Sequence, residues 1–196
     1  SKPMMRDTYA PGTTLAQGKY ILESLIGVGG MGAVYLATQT SIGRKVAVKI
    51  INPNLVYNEE IRQRFHREVE VMSKLSSAHC ITVFDFGQTP DGVLYLVMEY
   101  LEGRSLAQVL GTDGPLPMTV FYEWFIQICR GVENAHVLGI VHRDLKPENI
   151  FIESTPTGKR VKVLDFGIAT ILGEKGAPDQ IALSRPGVVI GTPKYM

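Results

Sequence analysis

Four side chains that suit phosphoryl transfer lie in one short stretch of the sequence, and a further aspartate follows it. The stretch reads His142-Arg143-Asp144-Leu145-Lys146-Pro147-Glu148-Asn149, and a second aspartate follows in Asp165-Phe166-Gly167. Phosphoryl transfer needs carboxylate and amide oxygens for Mg²⁺, cations for the phosphates, and a carboxylate beside the attacking hydroxyl. Any one of these residues taken singly is more often an ordinary loop residue. Their joint occurrence in this order favours phosphoryl transfer.

A glycine-rich segment offers a place for phosphate groups. Residues 27–34 read Gly-Val-Gly-Gly-Met-Gly-Ala-Val, which matches G-x-G-x-x-G-x-V. Glycines let the backbone approach phosphate oxygens and present its N–H groups. An ordinary glycine-rich hairpin is an equally good interpretation of this segment alone. A dinucleotide-binding turn would continue into a helix. A strand pattern follows here, so the segment predicts a flap over a nucleotide.

One lysine lies in an apolar strand pattern and needs an anionic partner. Lys49 follows Val46-Ala47-Val48, and an ammonium among apolar neighbours is costly unless it is paired. Glu68 lies three residues after Phe65 and four before Met72, on the helix face expected to pack inward. We therefore predict an ion pair between Lys49 and Glu68. The alternative is that both are charges at the edge of the core that reach water.

Hydrophobic periodicity predicts the elements that would position these groups. Strands are predicted at residues 20–24, 33–37, 45–50, 81–87 and 93–99, and helices at residues 59–75 and 118–138. The second helix has one apolar side, formed by Phe121, Phe125, Ile128, Val132 and Ala135. Residues 173–196 have no strong period and predict a long loop. The fold class expected is α+β, with a β-rich lobe containing one helix, a short hinge and the beginning of a helical lobe.

Composition limits the other classes of function. The chain has 196 residues, 45% of them hydrophobic, and a net charge of +1, so nothing in it calls for nucleic acid. Two unclustered cysteines, Cys80 and Cys129, fit a reducing compartment, and the four histidines have no metal-ligand spacing. No run of about 18 apolar residues predicts a membrane segment. We expect a cytoplasmic protein in which residues 1–19 form a loose leader.

With these motifs in this order, the sequence from Tyr20 to Met196 resembles the eukaryotic-type protein kinase superfamily. The resemblance implies a protein-kinase-like fold with an N-lobe at residues 20–98, a hinge at 99–103 and a partial C-lobe at 104–196. That partial C-lobe would include the catalytic loop and the activation loop. The resemblance also implies ATP as the phosphate donor, Mg²⁺ as the metal with Mn²⁺ as a substitute, and a protein substrate carrying Ser or Thr.

The resemblance implies a catalytic role for each candidate residue. Lys49 would bind the α- and β-phosphates while Glu68 holds it in place. Asp144 would accept or orient the proton of the substrate hydroxyl. Asn149 and Asp165 would bind the metal.

The resemblance also implies the residues that contact the nucleotide. Met98 looks like the gatekeeper, and residues 99–101 look like the hinge whose backbone holds adenine. Apolar side chains would enclose the flat purine ring. The expected contacts are Ile26, Gly27, Val28, Gly29, Gly30, Met31, Gly32, Ala33, Val34, Ala47, Lys49, Met98, Glu99, Leu101 and Phe151.

Further residues bear on specificity and regulation. Lys146, two residues after Asp144, resembles the serine/threonine kinases, as does the segment Gly191-Thr192-Pro193. The glycine loop and the Val34-Tyr35 that follows look most like bacterial members. In the family, the arginine at Arg143 often pairs with a phosphate on the activation loop. The candidate acceptors are Thr170, Ser184 and Thr192, of which Ser184 is preferred because Thr192 fits a structural role better.

The resemblance is incomplete at its C-terminal end, because the chain stops at Met196 where the family expects a small residue followed by Pro-Glu. We expect low activity or none from these 196 residues alone, with the apolar side of the helix at 118–138 exposed. Three functions stay open. They are a serine/threonine protein kinase, a catalytically silent kinase-like binding or regulatory protein, and a small-molecule phosphotransferase with a related lobe.

Overall fold

A six-stranded sheet carries the glycine-rich segment and Lys49.

The computed structural model describes residues 9–56 and 58–166. The chain divides into two compact units, residues 1–62 with 82–101 and residues 63–81 with 102–196. Gly167 and the three candidate phosphate acceptors, Thr170, Ser184 and Thr192, lie outside the described residues.

Short strands joined in antiparallel pairs build the sheet of the first unit. They are β1 (Thr14–Leu15), β2 (Tyr20–Gly29), β3 (Gly32–Gln39), β4 (Arg44–Ile51), β5 (Val83–Gln88) and β6 (Leu94–Glu99). Their order across the sheet is β1-β2-β3-β4-β6-β5. Valine and isoleucine fill β4 because β-branched side chains suit a pleated strand. The strands predicted from the hydrophobic pattern are confirmed, and β1 is additional.

Successive side chains along each strand point to opposite faces of this sheet. Val46, Val48 and Ile50 on β4 join a hydrophobic core on one face, because alternate residues of a strand point the same way. Their companions in this core are Leu15, Tyr20, Leu22, Ala33, Tyr35, Ala37, Tyr95 and Val97. Burial of each large apolar side chain contributes roughly 1.5–3 kcal/mol. Ala47 and Lys49 therefore point to the opposite face.

A hydrogen-bonded cluster joins the start of β2 to β5, although these strands are not neighbours in the sheet. The Lys19 ammonium and the Tyr20 hydroxyl both donate to Asp85 Oδ2, at 2.6 and 2.8 Å. The sheet must therefore curl until β5 returns towards β2. Burial alone would raise the pKa of Asp85, but the hydrogen bonds from Lys19 and Tyr20 outweigh it and hold this pKa below its ordinary value of 3.8.

We expect Asp85 to make the stability of the fold depend on acid pH. Its pKa is lower in the folded protein than in the unfolded chain, so the carboxylate stabilises the fold fully above pH 3.8. That stabilisation is lost as the pH falls through the folded-state pKa. Urea unfolding of Asp85→Asn should show a loss of stability near neutral pH that is smaller at a pH well below 3.8. Asp91→Asn, in an exposed turn, is the matched control. An equal loss for Asp85→Asn at both pH values would contradict the role given to this carboxylate.

Residues 9–19 pack against the sheet, which corrects the expectation of a loose leader for this part. Leu15 is 4% exposed, and its strand β1 pairs with β2. The Tyr9 amide donates to the Tyr35 hydroxyl at 2.9 Å, and the two rings meet edge to face with centroids 6.3 Å apart. The hydrophobic pattern did not reveal this because a two-residue strand has no period.

Helix α1 (Glu59–Met72) begins after Asn58 and ends at Met72 rather than at the predicted Leu75. The Asn58 carboxamide oxygen accepts a hydrogen bond from Ile61 N at 2.8 Å, which caps the first turn. The carboxylates of Glu59 and Glu60 lie in that turn, where their negative charge interacts favourably with the positive end of the helix dipole. The buried stripe of the helix consists of Ile61, Phe65, Val69 and Met72.

The second unit combines helices with a three-stranded sheet. Its elements are β7 (Gly103–Ser105), α2 (Leu106–Asp113), α3 (Met118–Val137), a 3-10 helix (Pro147–Asn149), β8 (Ile150–Thr155) and β9 (Gly158–Val163). The strands are antiparallel in the order β7-β8-β9. Helix α3 packs against β9, where Gln127 Oε1 accepts a hydrogen bond from Val161 N at 2.8 Å. The sequence analysis predicted α3 and missed α2.

Helix α3 ends at Val137, two residues before Gly139, and leaves much of its apolar side exposed. Gly139 (φ +74°) donates its amide to His136 O at 2.9 Å, which closes the last turn. Phe121 and Phe125 are exposed and stack on each other with ring centroids 5.5 Å apart. Among the described residues, no helix combines the length and the apolar character needed to span a membrane.

Candidate active site

The glycine-rich segment forms the end of the β2–β3 hairpin. Gly29 pairs with Gly32, so Gly30 and Met31 make the turn. Gly32 has φ +140°, and a Cβ at this position would stand 1.9 Å from the carbonyl oxygen of Ile50 on β4. The backbone itself therefore requires glycine here, whatever the segment binds.

The other glycines of this hairpin face open space. A Cβ at Gly29 or Gly30 would meet nothing within 4 Å, and one at Gly27 would reach Val34 Cβ at 4.0 Å. Internal packing therefore does not explain glycine at these positions. Backbone N–H groups without side chains at an open hairpin suit the close approach of an anion. The flap over phosphate groups stays a prediction, and this geometry supports it.

Four predicted nucleotide contacts share one face of the sheet. Val34 pairs across strands with Lys49, and Ala47 pairs with Met98, so these side chains point the same way. Lys49 is 5% exposed and Met98 is 8% exposed. The face therefore offers apolar side chains around a buried lysine, an arrangement in which an anionic ligand offsets the cost of burying the ammonium.

Other predicted contacts lie elsewhere on the hairpin. Ile26 and Val28 are exposed. The Ala33 side chain belongs to the hydrophobic core on the opposite face from Val34. Because neighbouring residues of a strand point to opposite faces, Ala33 can reach a ligand on the Val34 face through its backbone alone. The predicted contact of Ala33 with the nucleotide stays a prediction.

The end of β6 is held by a reciprocal contact with Thr82. The Glu99 amide donates to Thr82 O at 3.0 Å, and the Glu99 carboxylate accepts from Thr82 N at 2.8 Å. The chain leaves the first unit after Leu101 and enters the second at Glu102. The predicted hinge, residues 99–103, contains this division.

Glu68 does not lie on the buried side of helix α1. The sequence analysis placed it there, but its side chain is exposed because the buried stripe passes through Phe65 and Val69 instead. Glu68 is one residue, or about 100° of helix rotation, away from Val69. Glu68 and Lys49 belong to different units. Their ion pair stays a prediction.

The loop before β8 brings together three of the predicted catalytic residues, Asp144, Lys146 and Asn149. Lys146 Nζ lies 2.8 Å from Asp144 Oδ2, and both side chains are largely buried. Asn149 Nδ2 donates to the same carboxylate oxygen at 3.3 Å and to the backbone oxygen of Asp144 at 2.8 Å. A carboxylate is thus held between an ammonium and an amide, in a geometry that fixes its direction.

His142 holds this loop in place through hydrogen bonds at both nitrogens of its ring, a role that the sequence analysis did not assign. Its Nε2–H donates to Leu164 O at 2.7 Å, and its Nδ1 accepts from the Asp144 amide at 3.3 Å. Burial lowers the pKa of His142 below its ordinary value of 6.5, and the hydrogen bond to Leu164 opposes this shift. The neutral ring suits both bonds, because one nitrogen must donate and the other must accept.

Two residues beside the catalytic groups adopt an uncommon backbone conformation. Arg143 has φ +62° and Asp165 has φ +55°, in the left-handed region that non-glycine residues rarely occupy. Phe166 is fully buried, and its ring centroid lies 4.9 Å from that of His142. Leu164 N donates to Asn149 O at 2.8 Å. These contacts hold Asp165 at the loop against the strain of its backbone.

The donor set of the second unit fits a hard divalent cation. Within the described residues, both hydrogen bonds of the Asn149 side chain use Nδ2, which leaves its Oδ1 as a ligand oxygen. Asp165 supplies a carboxylate. Mg²⁺ is commonly held by one or two protein oxygens together with phosphate oxygens and water. Among the described residues, no group of three His, Cys, Asp or Glu side chains could hold a metal without further ligands.

Phe151, one of the expected contacts of the purine ring, lies on β8. It is half-buried and pairs with Ser105 on β7 and with Lys162 on β9. Lys162 is 4% exposed and donates to Cys80 O at 3.3 Å. This face of the three-stranded sheet therefore presents one aromatic ring next to a buried lysine.

Comparison with known proteins decides the family. The protein kinase domain model matches residues 20–196. The chain belongs to the protein kinase family. Two serine/threonine-protein kinases of Myxococcus xanthus are similar to it, pkn3 with 43% identity over 186 residues and pkn2 with 40% identity over 187 residues. The kinase relatives compared are bacterial, as the glycine loop predicted.

The kinase fold is confirmed by a solved structure. The PknI kinase domain of Mycobacterium tuberculosis has a TM-score of 0.73 with 32% sequence identity, and the match covers 83% of this chain and 64% of that one. The matched part is 94% of this chain but 34% of pkn3, and 95% of this chain but 22% of pkn2. The chain thus spans between a fifth and about a third of the length of these kinases.

Proposed function

We propose that this chain carries the catalytic residues of a serine/threonine protein kinase, which transfers the γ-phosphate of ATP to a protein hydroxyl. The observation that carries the proposal is the contact of Asp144 Oδ2 with Lys146 Nζ at 2.8 Å and with Asn149 Nδ2 at 3.3 Å. Phosphoryl transfer relies on positioning and charge rather than on covalent help from the protein. The names of the bacterial relatives support the same activity.

Asp144 acts on the substrate hydroxyl. As the hydroxyl oxygen bonds to the γ-phosphorus and the bond from that phosphorus to the departing ADP oxygen breaks, the hydroxyl proton passes to the Asp144 carboxylate. Lys146 holds this carboxylate in place and offsets negative charge at the transferred phosphate. Asn149 Nδ2 donates a hydrogen bond to the Asp144 backbone oxygen at 2.8 Å, which keeps the base in its position beside the substrate.

The proposal assigns the phosphate and purine contacts to the first unit and the metal ligands to the second. Lys49 pairs with phosphate oxygens, while Val34, Ala47 and Met98 on the same sheet face pack against the purine. Asp165 and the Asn149 amide oxygen hold Mg²⁺, and Mn²⁺ suits the same oxygen ligands. When bound, the metal neutralises charge on the phosphates.

The choice of acceptor and its regulation rest on two cationic residues. Lys146 resembles the serine/threonine kinases in its place after Asp144. Arg143 is exposed next to the catalytic aspartate, where a phosphate can form charge-assisted hydrogen bonds with its guanidinium. Ser184 is the proposed phosphate acceptor in the segment after Asp165, with Thr170 and Thr192 as the other candidates.

Mg²⁺-dependent ATP binding, measured by calorimetry, tests the nucleotide site. We expect saturable binding that is lost in Lys49→Ala and in Asp165→Ala, because each removes a charge that faces the phosphates or the metal. Lys74→Ala, which removes an exposed lysine paired with Glu70, is the matched control. Unchanged ATP binding in both site variants would overturn the proposed roles.

The acceptor class is tested with a protein that joins this chain to a complete second lobe. Phosphate from labelled ATP should appear on Ser or Thr of a basic protein, and small alcohols and aminoglycosides should stay unlabelled. Labelling of the small alcohols would favour a small-molecule phosphotransferase. Tight ATP binding by a folded protein that labels neither class would favour a catalytically silent binding protein.

A further inference from the structure

A cavity lies in the second unit, on the side of the three-stranded sheet away from Phe151. Ile152 on β8 lines it. Because Phe151 and Ile152 are consecutive residues of one strand, their side chains point to opposite faces of the sheet. The cross-strand pairs on the cavity side are Arg104 with Ile152 and Ser154 with Lys159. The cavity is therefore separate from the face that carries the expected purine contact.

The size of this cavity suits a small ring rather than a nucleotide. Its volume is about 240 Å³. An apolar cavity of about 150 Å³ holds benzene, and pockets for larger organic ligands usually begin at about 300 Å³. A phenyl ring with a short side chain therefore fits, and a nucleotide does not.

The floor and one wall of the cavity are apolar and aromatic. Val109 of helix α2 and Ile152 are 5% and 3% exposed, so both are fixed in the unit beneath the opening. Trp124 of helix α3 is half-exposed and forms the wall. Its indole N–H makes no hydrogen bond with any residue in the described ranges 9–56 and 58–166. An indole face next to two aliphatic side chains suits the edge or face of a second ring.

The rim of the cavity carries one cation that no carboxylate balances. Arg104 binds Asp113 through two hydrogen bonds, at 3.0 and 2.6 Å, and this partner lowers the pKa of Asp113 to about 2. These two charges cancel. Lys159 Nζ donates to the neutral Ser154 hydroxyl at 2.7 Å, and it makes no ion pair within the described part of the chain. A ligand that enters the cavity therefore meets one positive charge at its edge.

We propose that this cavity binds a small aromatic or branched apolar carboxylate, with its ring against Trp124 and its carboxylate on Lys159. The apolar floor excludes water from the ring, and the charge-assisted hydrogen bond to Lys159 selects an acid over an amide of the same shape. The ligand site is independent of the proposed kinase chemistry. It uses no residue assigned to ATP, metal or substrate.

The test uses the indole N–H resonance of Trp124, since this is the sole tryptophan of the chain. Nitrogen-15 spectra of the 196-residue chain would be recorded during titration with 3-phenylpropionate. We expect a saturable shift of the indole resonance, with a dissociation constant on the order of 1 mM for so small a ligand. The neutral isostere 3-phenylpropanamide and the ring-free acid propionate should each bind several-fold more weakly. Equal binding of the amide, or no saturable shift, would overturn the proposal.

Two variants and one competitor locate the binding. Lys159→Gln should weaken binding of 3-phenylpropionate by about tenfold, and Ser154→Tyr should block it by filling the mouth of the cavity. Lys74→Gln, an exposed lysine of the same unit, should leave binding unchanged. Saturating Mg²⁺ and ATP should also leave the titration unchanged. Loss of the shift on adding ATP would place the ligand at the nucleotide site and refute a separate cavity.

Discussion

In a protein that contains this chain and a complete second lobe, replacing Asp144 with asparagine is expected to lower turnover by about 10²–10⁴-fold, with a much smaller change in ATP affinity. The asparagine side chain has the same shape, so its contacts with Asn149 and the loop can persist, but an amide cannot accept the proton of the substrate hydroxyl. An interaction needed only in the transition state affects turnover rather than nucleotide binding. Phosphate transfer at saturating ATP, and ATP binding by calorimetry, would be measured on the same samples.

The controls for this substitution separate chemistry from folding. Asp91→Asn makes the same chemical change in an exposed turn of the first unit and should keep full turnover. Lys146→Met removes the ammonium at 2.8 Å from Asp144 and should also lower turnover, since the carboxylate loses the partner that directs it. Wild-type turnover in Asp144→Asn would remove this residue from the mechanism.

Gly32→Ala is expected to cost about 3 kcal/mol of folding stability, whereas Gly30→Ala should change stability by about 1 kcal/mol or less. The new Cβ at position 32 would stand 1.9 Å from the Ile50 carbonyl oxygen, on a backbone with φ +140°. The new Cβ at position 30 would meet nothing within 4 Å. Thermal unfolding of the two variants should therefore differ clearly, although they lie two residues apart.

The same pair of variants separates a structural glycine from a ligand-binding one. Gly30→Ala should weaken binding of Mg²⁺ and ATP by about tenfold, because losing one phosphate contact is worth about 1.4 kcal/mol. Gly111→Ala, in helix α2 with open space around its Cβ, is the control and should keep wild-type ATP affinity. Unchanged ATP affinity in a stable Gly30→Ala protein would refute the flap over the phosphates.

Periodicity predicted the long elements of the fold well, because each has enough residues to show its spacing. Strand β2 nevertheless runs to Gly29, beyond the predicted Ser24, since two irregularities in its register carry the pairing through the glycine-rich segment. Helix α2 was missed because it is short and contains Gly111. One signal for it was present: Ser105 and Gln108 form a reciprocal capping box at its start.

Residue types identified the candidate catalytic groups, but their geometry depends on contacts distant in sequence. The position of Asp144 depends on His142, whose ring bonds to Leu164, a residue 22 positions later. The left-handed conformations of Arg143 and Asp165 could not be predicted, because side chains of these types rarely adopt them. The cavity beside Trp124 needs α2, α3 and the sheet together, so no single segment indicates it.

The packing of residues 9–19 determines where this domain can be shortened. A chain cut at Tyr20, where the family pattern begins, would lose the Lys19 bond to Asp85, strand β1 and the ring of Tyr9 over Tyr35. Tyr20 and Tyr35, now 1% and 2% exposed, would then face water on a curled sheet with an open first edge. Such edges promote association between chains. Expression of this domain should therefore start no later than Tyr9.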